Sequence, residues 1–249
     1  GYMRKALATF DHFFLQNQSS KELLASIGYT NTTTSGDTRF DRVSHQIEMD
    51  NTLDFIATFK ADQLCIVCGS TWPEDETILL EYINEAPAKV KFIIAPHNIH
   101  AHKISAFIER INKQTIQYSE TIAKKNLDQI KTAQVFIIDT IGLLTRIYNY
   151  ADIVYIGGAM GTGGLHNILE PATFGVPIII GKNYDDSPEA IKLRSLAGLF
   201  SVKTSEECTD ILTKLVEDSS LRNKTGMICG HFVDSNTGAT KIIMNALLK

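Results

Sequence analysis

Two hydrophobic periods alternate along the chain. Segments that are apolar at nearly every position predict buried strands: "QLCIVCGS" (63–70), "VKFIIAP" (90–96), "QVFIID" (134–139), "DIVYIGG" (152–158) and "VPIIIGK" (176–182). "HFFLQ" (12–16), "NTTTSG" (31–36) and "TIQYS" (115–119) read as shorter strands. Between them, apolar residues recur at helical spacing in "SSKELLASIG" (19–28), "SHQIEMDNTLDFIATF" (44–59), "WPEDETILLEYINEA" (72–86), "IHAHKISAFIERIN" (99–112), "GLLTRIYNYA" (142–151) and "NILEPATFG" (167–175). The end is helical: "SEECTDILTKLVED" (205–218), "SLRNKTGMICGHFV" (220–233) and "GATKIIMNALLK" (238–249). Ser19 or Ser20 is expected to cap the first of these helices and Gly28 to close it. Continuously apolar strands separated by amphipathic helices predict a parallel sheet covered on both faces, an α/β, Rossmann-like, doubly wound fold.

Composition narrows the function classes. The 249 residues are 44% hydrophobic and 21% charged, ordinary for a globular chain with a sizeable core. A net charge of −4 argues against a broad nucleic-acid surface. No apolar run approaches the ~20 residues of a membrane span, and "GYMRKALATFDHFF" is too short and polar for a signal peptide. Cys65 and Cys68 form a C-x-x-C that could serve redox chemistry or zinc. Three residues apart on a strand, however, they point to opposite faces, which favours core packing in a reducing compartment.

Open parallel sheets bind ligands beyond the carboxyl ends of their strands. Four strand ends there carry distinctive residues. "GGAMGTGGLHNILEP" (157–171) sets a glycine loop, with Gly157 and Gly158 at its start, before His166, Asn167, Glu170 and Pro171. If a helix starts near Asn167, the N–H groups of 166–169 are free for a phosphate, His166 adds a donor or a charge, and Glu170 can hold the two hydroxyls of a ribose. Alternatively, Asn167 and Glu170 form a capping box and the glycines allow close packing. In "GSTWPEDE", Gly69, Ser70 and Thr71 offer hydroxyls and N–H groups to an anion, or Ser70 or Thr71 caps the next helix. Pro96 and His97 end another strand; His100 and His102 are expected on a helix start, with no metal site formed. Thr140, Ile141 and Gly142, in "IDTIGLL", offer backbone groups that could read a planar base. "SGDTRFDRV" is polar and turn-rich; Arg39 is either paired with nearby acids or in contact with an anion of donor or acceptor. There is no G-x-G-x-x-G after the first strand and no P-loop.

Together these segments resemble the C-terminal half of the 3-deoxy-D-manno-octulosonic acid (Kdo) transferases of lipopolysaccharide synthesis. The matching stretches are "FFLQNQSSKELLASIGY", "SGDTRFDRV", "GSTWPEDE", "IIAPHNI", "IDTIGLL", "YADIVYIGG" and "HNILEPATFGVPIIIGKNY". The resemblance implies a GT-B glycosyltransferase and an inverting transfer of Kdo from CMP-Kdo to a lipid A precursor, with no cofactor and no metal. It implies residues 1–16 as the remnant of an N-terminal domain and 17–249 as the nucleotide-sugar-binding domain. The N-terminal domain would supply the general base, the acceptor site and the membrane contact at the cytoplasmic face of the bacterial inner membrane. On this reading the fragment alone is soluble, binds a cytidine nucleotide and is catalytically silent. Another GT-B-like nucleotide-sugar enzyme, such as an epimerase, is the alternative.

Overall fold

The computed structural model describes residues 1–248 apart from 126 and 128; Lys249, the last residue of the predicted C-terminal helix, lies outside them. Among the described residues nine strands form two sheets. β1 (Phe13–Leu15) and β2 (Thr32–Thr34) pair in parallel with each other alone, joined by the helix Gln18–Ser26. They straddle residue 16, where the sequence reading divides the chain. The remaining strands are β3 (Leu64–Thr71), β4 (Val90–Pro96), β5 (Thr115–Gln117), β6 (Val135–Ile137), β7 (Ile153–Ile156), β8 (Ile178–Ile180) and β9 (Leu199–Ser201). They form one all-parallel sheet in the order β5-β6-β4-β3-β7-β8-β9. The chain winds outward from β3 through β4, then crosses back to place β7 on the other side of β3. β3 and β7 therefore flank the switch point, where such sheets open a crevice at their carboxyl ends.

The two-residue period of each strand sorts the core into two layers. Cys65, Val67, Ile93, Phe136, Val154 and Ile178 face one layer, with Ile56, Phe59, Ile147, Tyr148, Leu193 and Phe232 from the helices. Ile66, Cys68, Phe92, Ile94, Ile153 and Tyr155 face the other, with Ile78, Leu79, Tyr82, Phe107 and Leu212. Cys65 and Cys68 thus lie on opposite faces, both fully buried, and burial pushes the Cys65 thiol up to about 12. Such thiols are packing groups, inert as nucleophiles at neutral pH.

Several local expectations are corrected. "SGDTRFDRV" is not an irregular turn: Thr38–Ser44 is a helix, begun by Asp37, whose carboxylate accepts the Arg39 N–H, and docked through buried Phe40 and Val43. Residues 44–59 are not one helix. A 3-10 turn (His45–Glu48) and a helix (Asp54–Lys60) are separated where the Asn51 side chain donates to the carbonyls of Gln46 and Met49. Side-chain competition for backbone carbonyls breaks the helical period there. Asn17, not Ser19 or Ser20, caps Gln18–Ser26, accepting the Ser20 N–H. "GLLTRIYNYA" shrinks to Leu144–Ile147 and a 3-10 turn. The helix Pro188–Ser195 and the edge strand β9 had no sequence reading. Among the described residues no helix is long and apolar enough to cross a membrane.

Candidate functional site: the carboxyl edge at the switch point

At the end of β3 the chain must turn sharply. Ser70 takes a left-handed φ of 54°, and the register with β4 shifts there. The helix Pro73–Glu85 follows at once, with proline in its first turn and Glu74, Asp75 and Glu76 behind it. Sequence logic reads these acids as complements to the helix dipole. Asp75 does more. It is 0% exposed. Its Oδ2 accepts the N–H groups of Trp72 (2.9 Å) and Gly158 (2.8 Å), and its Oδ1 accepts the Tyr155 hydroxyl (2.8 Å). One carboxylate thereby clamps the end of β3 to the end of β7. Burial, with the charge of Asp75 next, holds the Tyr155 hydroxyl protonated far above its ordinary range.

The glycine loop is explained by what approaches it. A Cβ on Gly157 would lie 2.3 Å from the Ser70 carbonyl oxygen and 2.8 Å from Asp75 Oδ2. One on Gly158, at φ 97°, would lie 2.1 Å from the Gly164 oxygen. Gly163 packs on the Trp72 indole and Gly161 on the Glu74 carboxylate. Close packing within the protein, the alternative the sequence left open, accounts for these positions.

Trp72 organises the opposite wall. Its ring stacks on His97 (centroids 4.4 Å, planes 17° apart), and its Nε1 donates to His166 Nε2 at 3.1 Å. His97 and His166 lie ring to ring at 4.6 Å. The His97 N–H is spent on the Thr71 carbonyl. Burial first, then neighbouring His97, lowers the His166 pKa; the charge of Asp75 opposes them.

The third group of contacts surrounds Glu170. Oε2 accepts the Thr145 hydroxyl at 3.0 Å and Oε1 accepts the Asn167 amide at 3.1 Å. Arg42 Nη2 stands 3.9 Å from Oε1, on a side chain that is 80% exposed. Arg42, Val43, Gln46, Thr145 and Glu170 line a cavity of about 120 Å³. Beyond it Thr140, Ile141 and Gly142 form the turn after β6, with Ile141 83% exposed and Gly142 at φ 93°.

The structure thus places the four strand-end segments along one edge, linked by contacts between Gly69 and Gly157, Trp72 and His97, Trp72 and His166, and Thr145 and Glu170. It corrects individual expectations. Thr71 is 1% exposed and its hydroxyl donates to Glu76, so that hydroxyl is already engaged within the protein. Neither Ser70 nor Thr71 caps the next helix; Trp72 holds that position and Asp75 accepts its N–H. The Asn167–Glu170 pair is not a capping box: Asn167 Oδ1 accepts the Leu169 N–H, and Glu170 meets side chains only. The free N–H groups expected over 166–169 are partly used, since His166 donates to Gly157 O and Leu169 to Asn167. The helix itself is one turn, Leu169–Ala172. Gly69 faces the Tyr148 hydroxyl, where a Cβ would be 2.2 Å away. Arg39 is held by Asp37 (2.7 Å) and Glu189 (2.9 Å), the ion pairing the sequence left open. Arg42, one helical turn on, reaches the site instead.

Trp72, Asp75, Arg42 and Thr145 are the site residues that sequence reasoning missed. Two had a signal: Trp72 is the only tryptophan of the chain, and Asp75 occupies the third helical position, where a side chain folds back on the preceding N–H.

The His166 environment has a measurable consequence. A histidine whose pKa is lower in the fold than in the unfolded chain leaves the unfolded state binding more protons as pH falls through about 6.5. Its contribution is therefore intact above that pH, is lost as pH falls below it, and stops changing below the depressed folded value. Urea unfolding followed by Trp72 fluorescence should show lower stability at pH 5.5 than at pH 7.5. His166→Gln should reduce that difference; a difference equal to wild type would refute the assignment.

No family model matches the chain. Its sequence is 27% identical over 227 residues to the 3-deoxy-D-manno-octulosonic acid transferase of Rickettsia bellii, covering 89% of this chain and 53% of that protein. The enzyme of the same name from Haemophilus influenzae is 23% identical over 242 residues, covering 93% and 55%. This chain is related to the Kdo transferases. It spans about half the length of these Kdo transferase relatives. The fold agrees: the C-terminal CMP-Kdo binding domain of WaaA from Acinetobacter baumannii superposes with a TM-score of 0.60 at 17% identity, covering 79% of this chain and 99% of that domain.

Proposed function

We propose that this chain is the donor-binding part of an inverting Kdo transferase that moves Kdo from CMP-Kdo to a lipid A precursor. The supporting observation is the coincidence of two things: relation to Kdo transferases over 89% of the chain, and convergence of the polar strand ends at the β3/β7 switch point. In this reading Glu170 accepts from the ribose hydroxyls. Its carboxylate has lone pairs beyond those used by Thr145 and Asn167. The backbone of 140–142 borders the base, and Ser70 and His166 flank the phosphate.

During transfer, an acceptor hydroxyl oxygen bonds to the anomeric carbon of Kdo while the bond from that carbon to the phosphate oxygen breaks. CMP leaves with the electron pair. Charge grows on the phosphate, and fixed donors at the strand ends stabilise it. The acceptor proton passes to a base that we assign to the part of the enzyme this chain does not span. Membrane contact and acceptor binding are assigned there too, and the cytoplasmic face of the inner membrane is the proposed location of the whole enzyme. No metal or cofactor enters this scheme.

Isothermal calorimetry with CMP, UMP and UDP tests the donor assignment. CMP is expected to bind at least about tenfold more tightly than either, a difference of about 1.4 kcal/mol. UMP or UDP binding as tightly as CMP would overturn it in favour of another GT-B-like nucleotide-sugar enzyme. That alternative has a structural counterpart: the Anabaena protein HepE, in complex with UDP-glucose, aligns with 93% of this chain at a TM-score of 0.56 and 12% identity.

A further inference from the structure

The direction of the Trp72–His166 hydrogen bond decides a protonation state. An indole nitrogen donates and never accepts. The imidazole nitrogen 3.1 Å from it, Nε2, must then be the bare one. A histidine whose Nε2 accepts carries its only ring proton on Nδ1 and bears no charge. In water the imidazole prefers the opposite form, with the proton on Nε2, so the protein reverses an intrinsic preference.

We propose that Trp72 is a positioning residue that holds His166 as a neutral imidazole protonated on Nδ1, so that His166 offers a hydrogen-bond donor of fixed direction and not a positive charge. The sequence alone left both options open. The surroundings agree. His97 lies against the ring at 4.6 Å and is itself pinned by stacking on Trp72, so charging His166 would set two imidazoles in conflict. Asp75, from the helix Pro73–Glu85, is the acid that favours the charged form. Its two oxygens are engaged by Trp72 N–H, Gly158 N–H and the Tyr155 hydroxyl. Glu74, from the same helix, packs on Gly161 of the glycine loop. Glu170, next along the chain, is engaged by Thr145 and Asn167.

The chemistry this selects is an oxygen acceptor, phosphate or sugar, met by one directional bond whose strength does not depend on His166 becoming charged. That use of the donor rests on the proposed nucleotide site; the protonation state does not.

Long-range 1H–15N spectra of the 15N-labelled chain read the tautomer directly, because a protonated ring nitrogen resonates far from a bare one. At pH 7.5 the expected pattern for His166 is Nδ1 protonated and Nε2 bare, with the Trp72 indole proton slow to exchange with water. Trp72→Phe keeps an aromatic face for His97 and removes the N–H. It is expected to return His166 to a majority Nε2-protonated form and to raise its titration midpoint. A purely structural role for Trp72 would leave the tautomer unmoved. Nε2 protonated in the unmodified chain, or an unchanged Nδ1 form in a folded Trp72→Phe variant, overturns the proposal. If that variant does not fold, the tautomer and indole exchange of the unmodified chain decide alone. No ligand is present in these measurements, so failure of CMP to bind would refute the nucleotide reading without touching this result.

Discussion

Replacing Asp75 with alanine is expected to destabilise the chain by about 3–5 kcal/mol, because it strands buried donors that each cost about 1–3 kcal/mol when left without a partner. Two of those donors are the backbone N–H groups of Trp72 and Gly158, which cannot turn away; the third, the Tyr155 hydroxyl, can rotate. Asp75→Asn separates the contributions. Its amide oxygen can take the place of Oδ2 and accept both N–H groups, while its NH2 faces a Tyr155 hydroxyl that can turn to accept. A loss of about 1–2 kcal/mol is expected for that variant, the worth of exchanging charged for neutral hydrogen bonds. For a chain of this size each kcal/mol moves the melting temperature by about 2–4 °C. Asp75→Ala should therefore melt about 6–20 °C below the unmodified chain, with Asp75→Asn between them. An alanine variant melting within 2 °C of wild type, on the order of the effect of a single kcal/mol, would remove the clamp from the account. The clamp also sets the site, since Trp72 and Gly158 border it from the ends of the paired strands β3 and β7.

Glu170→Ala is expected to weaken CMP binding by about 10- to 100-fold, the equivalent of the roughly 1.5–3 kcal/mol that a charge-assisted hydrogen bond contributes. The structure sharpens this. A capping role would make the variant fold poorly and bind normally, but the carboxylate touches no backbone N–H. Its partners are Thr145, Asn167 and, more distantly, Arg42. Two of these, Asn167 and Arg42, are exposed surface groups that water can satisfy, so the melting temperature should fall by no more than about 2–4 °C, the effect of 1 kcal/mol. Calorimetric titration and thermal unfolding of the same variant separate the two roles. Affinity within threefold of wild type would take Glu170 out of the nucleotide site. Glu170→Gln, which keeps the shape and loses the charge, should fall between.

How much of this was legible in the sequence differs by residue. The inner strands of the large sheet were legible because burial on both faces writes a continuous apolar run, the least ambiguous signal a parallel sheet leaves; the edge strand β5, Thr-Ile-Gln, has only one buried residue, and the other edge, β9, had no reading. In two of the segments that failed, 37–43 and 44–59, side chains compete with the backbone: Asp37 starts a helix that looks like a turn, and Asn51 ends one that looks continuous. The site was legible as a place and only partly as a set of groups. His166, Glu170 and the strand-end glycines were named from spacing. Thr71 and Arg39 were named with them, yet the hydroxyl of one is engaged by Glu76 and the other is held by Asp37 and Glu189, the latter 150 residues away in sequence.

From the sequence alone followed the alternation of strand and helix, the parallel sheet, the edge on which polar residues gather and the family the segments resemble. Each depends on local order: periodicity, turn residues, and which residues follow a strand. Tertiary structure alone decided that Asp75 bridges β3 and β7, that the glycines yield to Ser70 and Trp72, that Arg42 and not Arg39 approaches Glu170, and that Trp72 meets the Nε2 side of His166. Those facts depend on where side chains from distant segments meet, and on which nitrogen of a ring faces a donor. A linear pattern carries the period of a helix or strand, but the direction of a hydrogen bond exists only once both partners are in place.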